Sequence, residues 1–383
     1  MKRLGLLIIC LTLISLLAAC GLGTDNTMPP SPLVQFQPTL QTNVLWSHNV
    51  GDGNGGYYLR LVPAASNGVI YAGSHKGVVT ALDAKTGAVL WQVSVKQSIT
   101  SGLVAGGGNA IYFGTGNAKL FALSMQNGQV LWKTAVADEI LAQPQYVNGT
   151  VLVHTLSGNL AAYSAQDGHR IWSFDEDVPS LILHAAGQPQ IAGNMVIAGF
   201  ANGELVVLDI NSGQVIWEQH VAYPTGDNPI SQMVDITVNP VVVNGVVYAA
   251  TYQGQIAAYS LDNGQLIWKH KISSYAGITA NQSQIFVSDA KSRVWAFDEE
   301  AGAVNWRQLQ LLGRGITGPV IYNDALVVAD SYGYLHFMSL ADGHFLARVS
   351  IGNGALAQPI SYLGNLYVYT STGTLLAIHS AKK

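Results

Sequence analysis

Cysteine is nearly missing from this 383-residue chain, which has only Cys10 and Cys20. No disulfide framework and no paired Cys-x-x-Cys metal site can be built from two such residues. Charge is scarce too, with Asp, Glu, Lys and Arg together making 10% of the chain. No Lys/Arg run occurs, and the formal net charge of −4 becomes −6 if a leader carrying Lys2 and Arg3 is removed. Such a surface repels polyphosphates and anionic headgroups, so nucleic acid is excluded as a partner. Helix-favouring Glu and Lys are few, while glycine numbers 41 and apolar residues make up 49%. That balance excludes intrinsic disorder and points to many short strands joined by tight turns.

Catalytic signatures are equally sparse. Neither His-Glu-x-x-His nor Gly-x-Ser-x-Gly occurs, which removes the common metalloprotease and hydrolase chemistries. GDGNGG (51–56) satisfies Gly-x-Gly-x-x-Gly, but it opens no helix and belongs to no βαβ unit, so it reads as a flexible loop. As a calcium loop it fails because Pro63 stands where a bidentate Glu is required. The histidines are scattered, and the acidic groups Asp138-Glu139, Asp175-Glu176-Asp177 and Glu299-Glu300 lie in or before turns, where solvation is the ordinary role. No catalytic residue, cofactor or metal site is expected.

The longest apolar run follows the basic start and ends in LAAC (17–20). It is too short to span a bilayer and reads as a secretory leader. LAAC resembles the bacterial lipobox, which implies a diacylated Cys20 at the mature N-terminus. Gly21 follows in place of Asp, which by the same resemblance favours the outer membrane. Residues 1–19 are thus assigned as leader and 20–42 as lipidated N-terminus and flexible tether, rich in Pro, Thr, Asn and Gln. As a coil, 22 residues span roughly 25 Å. The membrane is reached through this anchor alone.

From residue 43 onward the chain repeats. KGVVTALDAKTGAVLW (76–91) recurs at 117–132, 157–172, 202–217, 253–268, 291–306 and, ending in Ala347, at 332–347. Each copy is preceded by two short apolar runs around a turn such as Asn67-Gly68, the favoured hairpin signal. The unit is therefore four antiparallel strands. The glycines Gly87, Gly128, Gly168, Gly213, Gly264, Gly302 and Gly343 keep constant spacing, as a left-handed residue after a type I turn requires. A four-stranded sheet cannot bury both faces alone, so the array must be capped or closed. The C-terminal run TGTLLAIHS (372–380) lacks a partner strand, and NVLW (43–46) is an orphan one. Joining them predicts an all-β, eight-bladed propeller over residues 43–383.

Seven copies approximating Gly-x-[VIL]-x-Ala-x-[Asp/Ser]-x-x-x-Gly-x-x-x-Trp resemble the tryptophan-docking blades of the pyrroloquinoline-quinone-like propellers. Within these, the lipobox, tether and eight blades resemble the BamB family of outer-membrane assembly factors, lipoprotein subunits of the β-barrel assembly machinery. The resemblance implies that Trp46, Trp91, Trp132, Trp172, Trp217, Trp268 and Trp306 pack between blades. It also implies a non-enzymatic scaffold in the outer membrane, facing the periplasm. The expected partners are the core barrel-bearing subunit and unfolded outer-membrane proteins.

The blade connections after Trp46, Trp172 and Trp217 are longer than the others and all leave one rim, where binding loops belong. The second holds SLILH (180–184) and the third QMVDITVNP (232–240). By resemblance, Leu181, Leu183, His184, Asp235 and Thr237 occupy the family's partner-contacting positions, with His184 in place of Arg and Thr237 in place of a second Asp. Imidazole cannot make a bidentate Arg contact, so a more apolar or shifted docking is expected. Two alternatives stand beside this reading. One is a quinoprotein-like enzyme, the other a cell-wall glycan binder using Tyr57, Tyr58 and Tyr223.

Overall fold

The computed structural model describes residues 28–382. Strands account for the regular structure: eight sheets of four antiparallel strands each. Blades 1 to 7 are continuous in sequence, running from residues 64–94 in blade 1 to 320–350 in blade 7. Blade 8 is composite. Its inner three strands come from residues 360–382, and its outermost strand is Leu40–Asn49. That strand pairs with Thr374–Lys382 from Leu40↔Lys382 to Asn49↔Thr374, with one bulge between Val44 and Trp46. The ring is thus closed by hydrogen bonds between the two ends of the propeller sequence. The leader and Cys20 lie outside the described residues.

The second and third strands of every blade are buried on both faces, as in VIYAG (69–73) and LVVL (205–208). The outermost strands alternate with solvent. This explains why the inner strands read as continuous apolar runs and why the closing tryptophan is the inward member of its strand. Each indole crosses to the next blade. Its Nε1–H donates to a turn carbonyl there, from Trp46 to Ala84 O at 3.0 Å through to Trp306 to Leu340 O at 2.9 Å. The ring lies over the repeat glycine of that blade, whose φ falls between +66° and +76° across all seven copies. A Cβ on Gly302 would come within 2.5 Å of the Trp268 ring. Glycine is therefore required both by backbone conformation and by ring contact.

Two expectations change. The tether assignment of 20–42 is too long, because residues 28–39 form a strap bound along blade 7. The Ser31 N–H donates to Leu312 O at 2.8 Å, and Arg348 Nη1 donates to Val34 O at 3.0 Å. Thr39 N–H donates to Leu346 O at 2.9 Å, and the Phe36 and Phe345 rings lie 5.4 Å apart. The strap's Val34 and Phe36 pack in the apolar cluster of Trp306 and Phe345, whereas at Ala347, where blade 8 has no third hairpin turn for an indole to cover, Leu40 packs in its place. The GDGNGG stretch is likewise not a free loop. Gly53 sits where a Cβ would meet Ser371 O at 2.2 Å, and the Val50 and Asn54 amides donate to Gly373 O and Ser371 O. It locks blade 1 to blade 8 by close backbone approach.

Replacing one docking indole removes the ring and its hydrogen bond together. Trp217→Ala should cost about 3–5 kcal/mol, read as a lowered urea midpoint, whereas Leu266→Ala on the exposed outer strand should change it by less than about 0.5 kcal/mol.

Candidate functional site

The connections 176–189 and 221–240 flank blade 4 on one rim and are tied to each other. The Leu183 N–H donates to Asp235 Oδ1 at 2.8 Å. Deeper in, the Gln188 N–H donates to Asn239 Oδ1 at 2.8 Å, and Asn239 Nδ2 returns a bond to Gln188 Oε1 at 3.1 Å. His154, buried in blade 3, holds Gly187 O at 3.0 Å through Nδ1. Burial pushes its pKa below the ordinary value against the pull of that carbonyl, so it acts as a neutral N–H donor.

The five residues read from sequence as partner contacts divide into three groups. Leu181 is exposed and Leu183 half-buried, on the outer lip of the first loop. His184 is also exposed, its Nε2 3.1 Å from Glu139 Oε2. Asp235 and Thr237 are the corrections, since each is 1% exposed and neither presents its side chain to a partner. Asp235 holds the first loop from beneath and accepts the Leu183 amide. Thr237 contributes its carbonyl, which accepts from Arg60 Nη1 at 2.9 Å. Both look like surface residues in the sequence because they sit in long polar connections. They are buried because the connections fold back over the blade ends.

Ile182 is wedged inward beside Val178 and Ile236, so of the three apolar residues 181–183 only Leu181 is fully offered to solvent. The second loop adds Tyr223 and Ile230, each 66% exposed. Around them lie Asp175, Glu176 and Asp177 on the blade-3 side. The Glu176 pKa is raised first by burial and then by Glu204. The surface is therefore an apolar lip bordered by carboxylates, suited to protein docking and carrying no nucleophile–base pair.

Arg60 was not singled out from the sequence. From the connection entering blade 1 it crosses the channel mouth, donating to Thr237 O before blade 5 and to Tyr275 O before blade 6. The signal was available. Counting three residues back from Pro63 and its equivalents gives Arg60, Ser101, Leu141, Ala186, Thr237, Tyr275, Ile316 and Leu356, with one charge among them. Below Arg60 the channel narrows to a cavity of about 50 Å³ bordered by Gln143, Gln188, Asn239 and Gln358. Beside it, Tyr57 and Tyr58 edge a cleft of about 540 Å³ with Asn54, Ser331 and Thr372. Among the described residues no cluster of three or more His, Cys, Asp or Glu is placed to hold a metal ion.

With that geometry in hand, the relatives are informative. The outer membrane protein assembly factor BamB of Yersinia pestis is 36% identical over 388 residues, covering 97% of this chain and 98% of its own length. The chain belongs to the BamB family. The Escherichia coli K12 assembly factor BamB is 35% identical over 377 residues, covering 95% of this chain and 96% of its own. A family profile described as outer membrane protein assembly factor BamB matches residues 75–308. Among solved structures, BamB from Moraxella catarrhalis superposes with a TM-score of 0.81 at 25% identity, covering 88% of this chain and all of that one. The quinohemoprotein alcohol dehydrogenase of Comamonas testosteroni reaches 0.71 at 14% identity, over 88% of this chain and 76% of its own. That likeness shows the propeller fold alone. Family membership puts the chain among assembly factors and not among quinoprotein enzymes.

The latch has a pH signature. Burial pushes the Asp235 carboxyl up to about 6 from an ordinary 3.8, against the opposing Leu183 amide. A carboxyl with a raised folded-state pKa supports the fold fully below about pH 4 and loses that support as pH rises through about 6. Asp235→Asn keeps the acceptor and removes the charge. It should be more stable than the parent by on the order of 2 kcal/mol at pH 7.5, with the difference vanishing below pH 4. Urea midpoints at the two pH values measure this.

Proposed function

We propose that this chain is a periplasm-facing, lipid-anchored scaffold of the outer-membrane β-barrel assembly machinery, which docks the machinery's core barrel-bearing subunit through the blade-3/4 and blade-4/5 loops and assists insertion of outer-membrane proteins. The observation that carries the reading is the pair of long loops held together by the Leu183 amide on Asp235, with Leu181 facing solvent between them. The relatives' shared name, outer membrane protein assembly factor, supports the setting.

The contact chemistry follows from the site. Leu181 and the exposed edge of Leu183 are the apolar anchors, with Tyr223 and Ile230 on the facing loop. His184 supplies a polar rim contact in the place where the family resemblance expects Arg. Asp235 fixes the loop before binding, so less ordering has to be done on association. The lipid on Cys20 holds the propeller at the membrane and raises the concentration of this surface near its partner.

A buried apolar anchor is commonly worth about 2 kcal/mol or more. Leu181→Asp with Leu183→Asp should therefore lower capture of the core subunit by at least about thirtyfold in a pull-down from solubilised membranes, with the urea midpoint unchanged. Undiminished capture sinks the loop assignment. Cys20→Ser should move the protein from the outer-membrane to the soluble periplasmic fraction, and retention in the membrane fraction sinks the anchor.

A further inference from the structure

The strap's contacts fix the rim at which the described chain begins. Residues 309–315, where its first described residues are held, belong to a connection between outer and inner strands, on the rim that also carries 176–189 and 221–240. Ser31 bonds Leu312 there, Arg314 Nη1 donates to Ser31 O at 3.0 Å, and Gly313 lies against the Pro29 carbonyl. From that point the strap descends blade 7 to the opposite, hairpin rim, where Leu40 pairs with Lys382. The strand Leu40–Asn49 then climbs back, ten residues or about 33 Å.

We propose that residues 28–39 are a positioning strap that makes the rim bearing the docking loops, and not the hairpin rim, face the lipid surface. The inference rests on the lipid at Cys20. Seven residues, 21–27, separate Cys20 from the strap, and those eight backbone steps reach at most about 29 Å. That is shorter than the blade-8 outer strand, so a propeller tethered at the loop rim cannot readily bring its hairpin rim to the bilayer. With the strap released, the chain would leave the propeller at Leu40 on a tether of twenty residues, a reach of up to about 70 Å that passes the whole wall, and the preference for one face would be lost.

Blade 7 is built to hold the strap. Arg314 and Arg348, which bond the strap carbonyls of Ser31 and Val34, are themselves fixed by a buried network. Arg314 Nε lies 2.7 Å from Asp330 Oδ2, His336 Nε2 lies 2.9 Å from the same oxygen, and Arg348 Nε donates to His336 Nδ1 at 3.2 Å. Asp330 and His336 are fully buried. The Arg348 guanidinium also stacks over Phe36 at 5.1 Å. Both arginine forks therefore point at backbone carbonyls of a segment whose sequence reads as a linker. Val34 and Phe36 pack beside Leu340 and Phe345 in the apolar cluster that receives Trp306.

The test uses the full lipidated chain in phosphatidylethanolamine/phosphatidylglycerol vesicles with an energy acceptor on the headgroups. Mature protein has no thiol besides the acylated Cys20, so Asp227→Cys on the loop rim or Asn263→Cys on the hairpin rim gives a single donor site. Energy transfer from position 227 should be at least twice that from 263. Val34→Ser with Phe36→Ser, which leaves the propeller's own residues untouched, should remove most of that difference. Inserting twenty Gly/Ser residues after Gly23 should bring the two signals to equality with the strap still bound. A chain that fails to float with the vesicles overturns the Cys20 anchor and this inference with it. A chain that floats but gives equal transfer, or keeps its asymmetry in both variants, overturns the strap's role alone.

Discussion

Everything in this molecule depends on one contact made seven times: an indole from the outer strand of one blade lying on a left-handed glycine of the next, its N–H on a carbonyl of the same turn. The contact is heterologous, because each of blades 1 to 6 gives a ring and receives another. A chain of such contacts propagates until it meets itself. Here it meets a break, because blade 8 is assembled from the two ends of the propeller sequence and has no hairpin turn to receive the eighth ring. Ala347 is the local answer to that break. Where a ring has no partner the tryptophan is absent, and Leu40 of the same chain packs against the cluster that holds Ala347.

Most of the architecture could be read directly from residues. The glycine-to-tryptophan spacing is a physical necessity of the dock, so it survives in every copy that has a neighbour to dock on, and its loss at Ala347 marks the seam. The closure of Leu40–Asn49 onto Thr374–Lys382 was legible because a four-stranded unit was missing its last strand at one end and had a surplus strand at the other. The strap was not legible. PPSPLVQFQPTL (29–40) has the composition of a linker, and its hydrogen bonds go to arginines and carbonyls more than 280 residues away in sequence. No local periodicity records such an arrangement.

The site shows the same division. Leu181, Leu183 and His184 sit on the outer lip that the loop lengths indicated, because insertions between outer and inner strands have nowhere to go except that rim. Asp235 and Thr237 do not, and the reason is backbone satisfaction. A loop that folds back over blade ends buries amides that no strand can pair. Asp235 accepts one of them and Asn239 another, while Arg60 caps the Thr237 carbonyl from across the channel. A polar residue in a long connection is thus as well suited to holding the loop as to touching a partner, and only the fold distinguishes the two.

That distinction changes how the carboxylate is understood. Had Asp235 been a rim contact, its charge would act on the partner directly and be screened by salt. Buried beneath Leu183, it acts through geometry, and its desolvation is a standing cost to the fold near neutral pH. Burying one unpaired carboxylate oxygen is hard to explain as a gain in stability. It is readily explained if the gain lies in the loop: a short charge-assisted bond to one amide fixes residues 181–184 in the conformation that exposes Leu181. Loop ordering is then supplied by folding, and the apolar lip proposed for docking is already formed before any association.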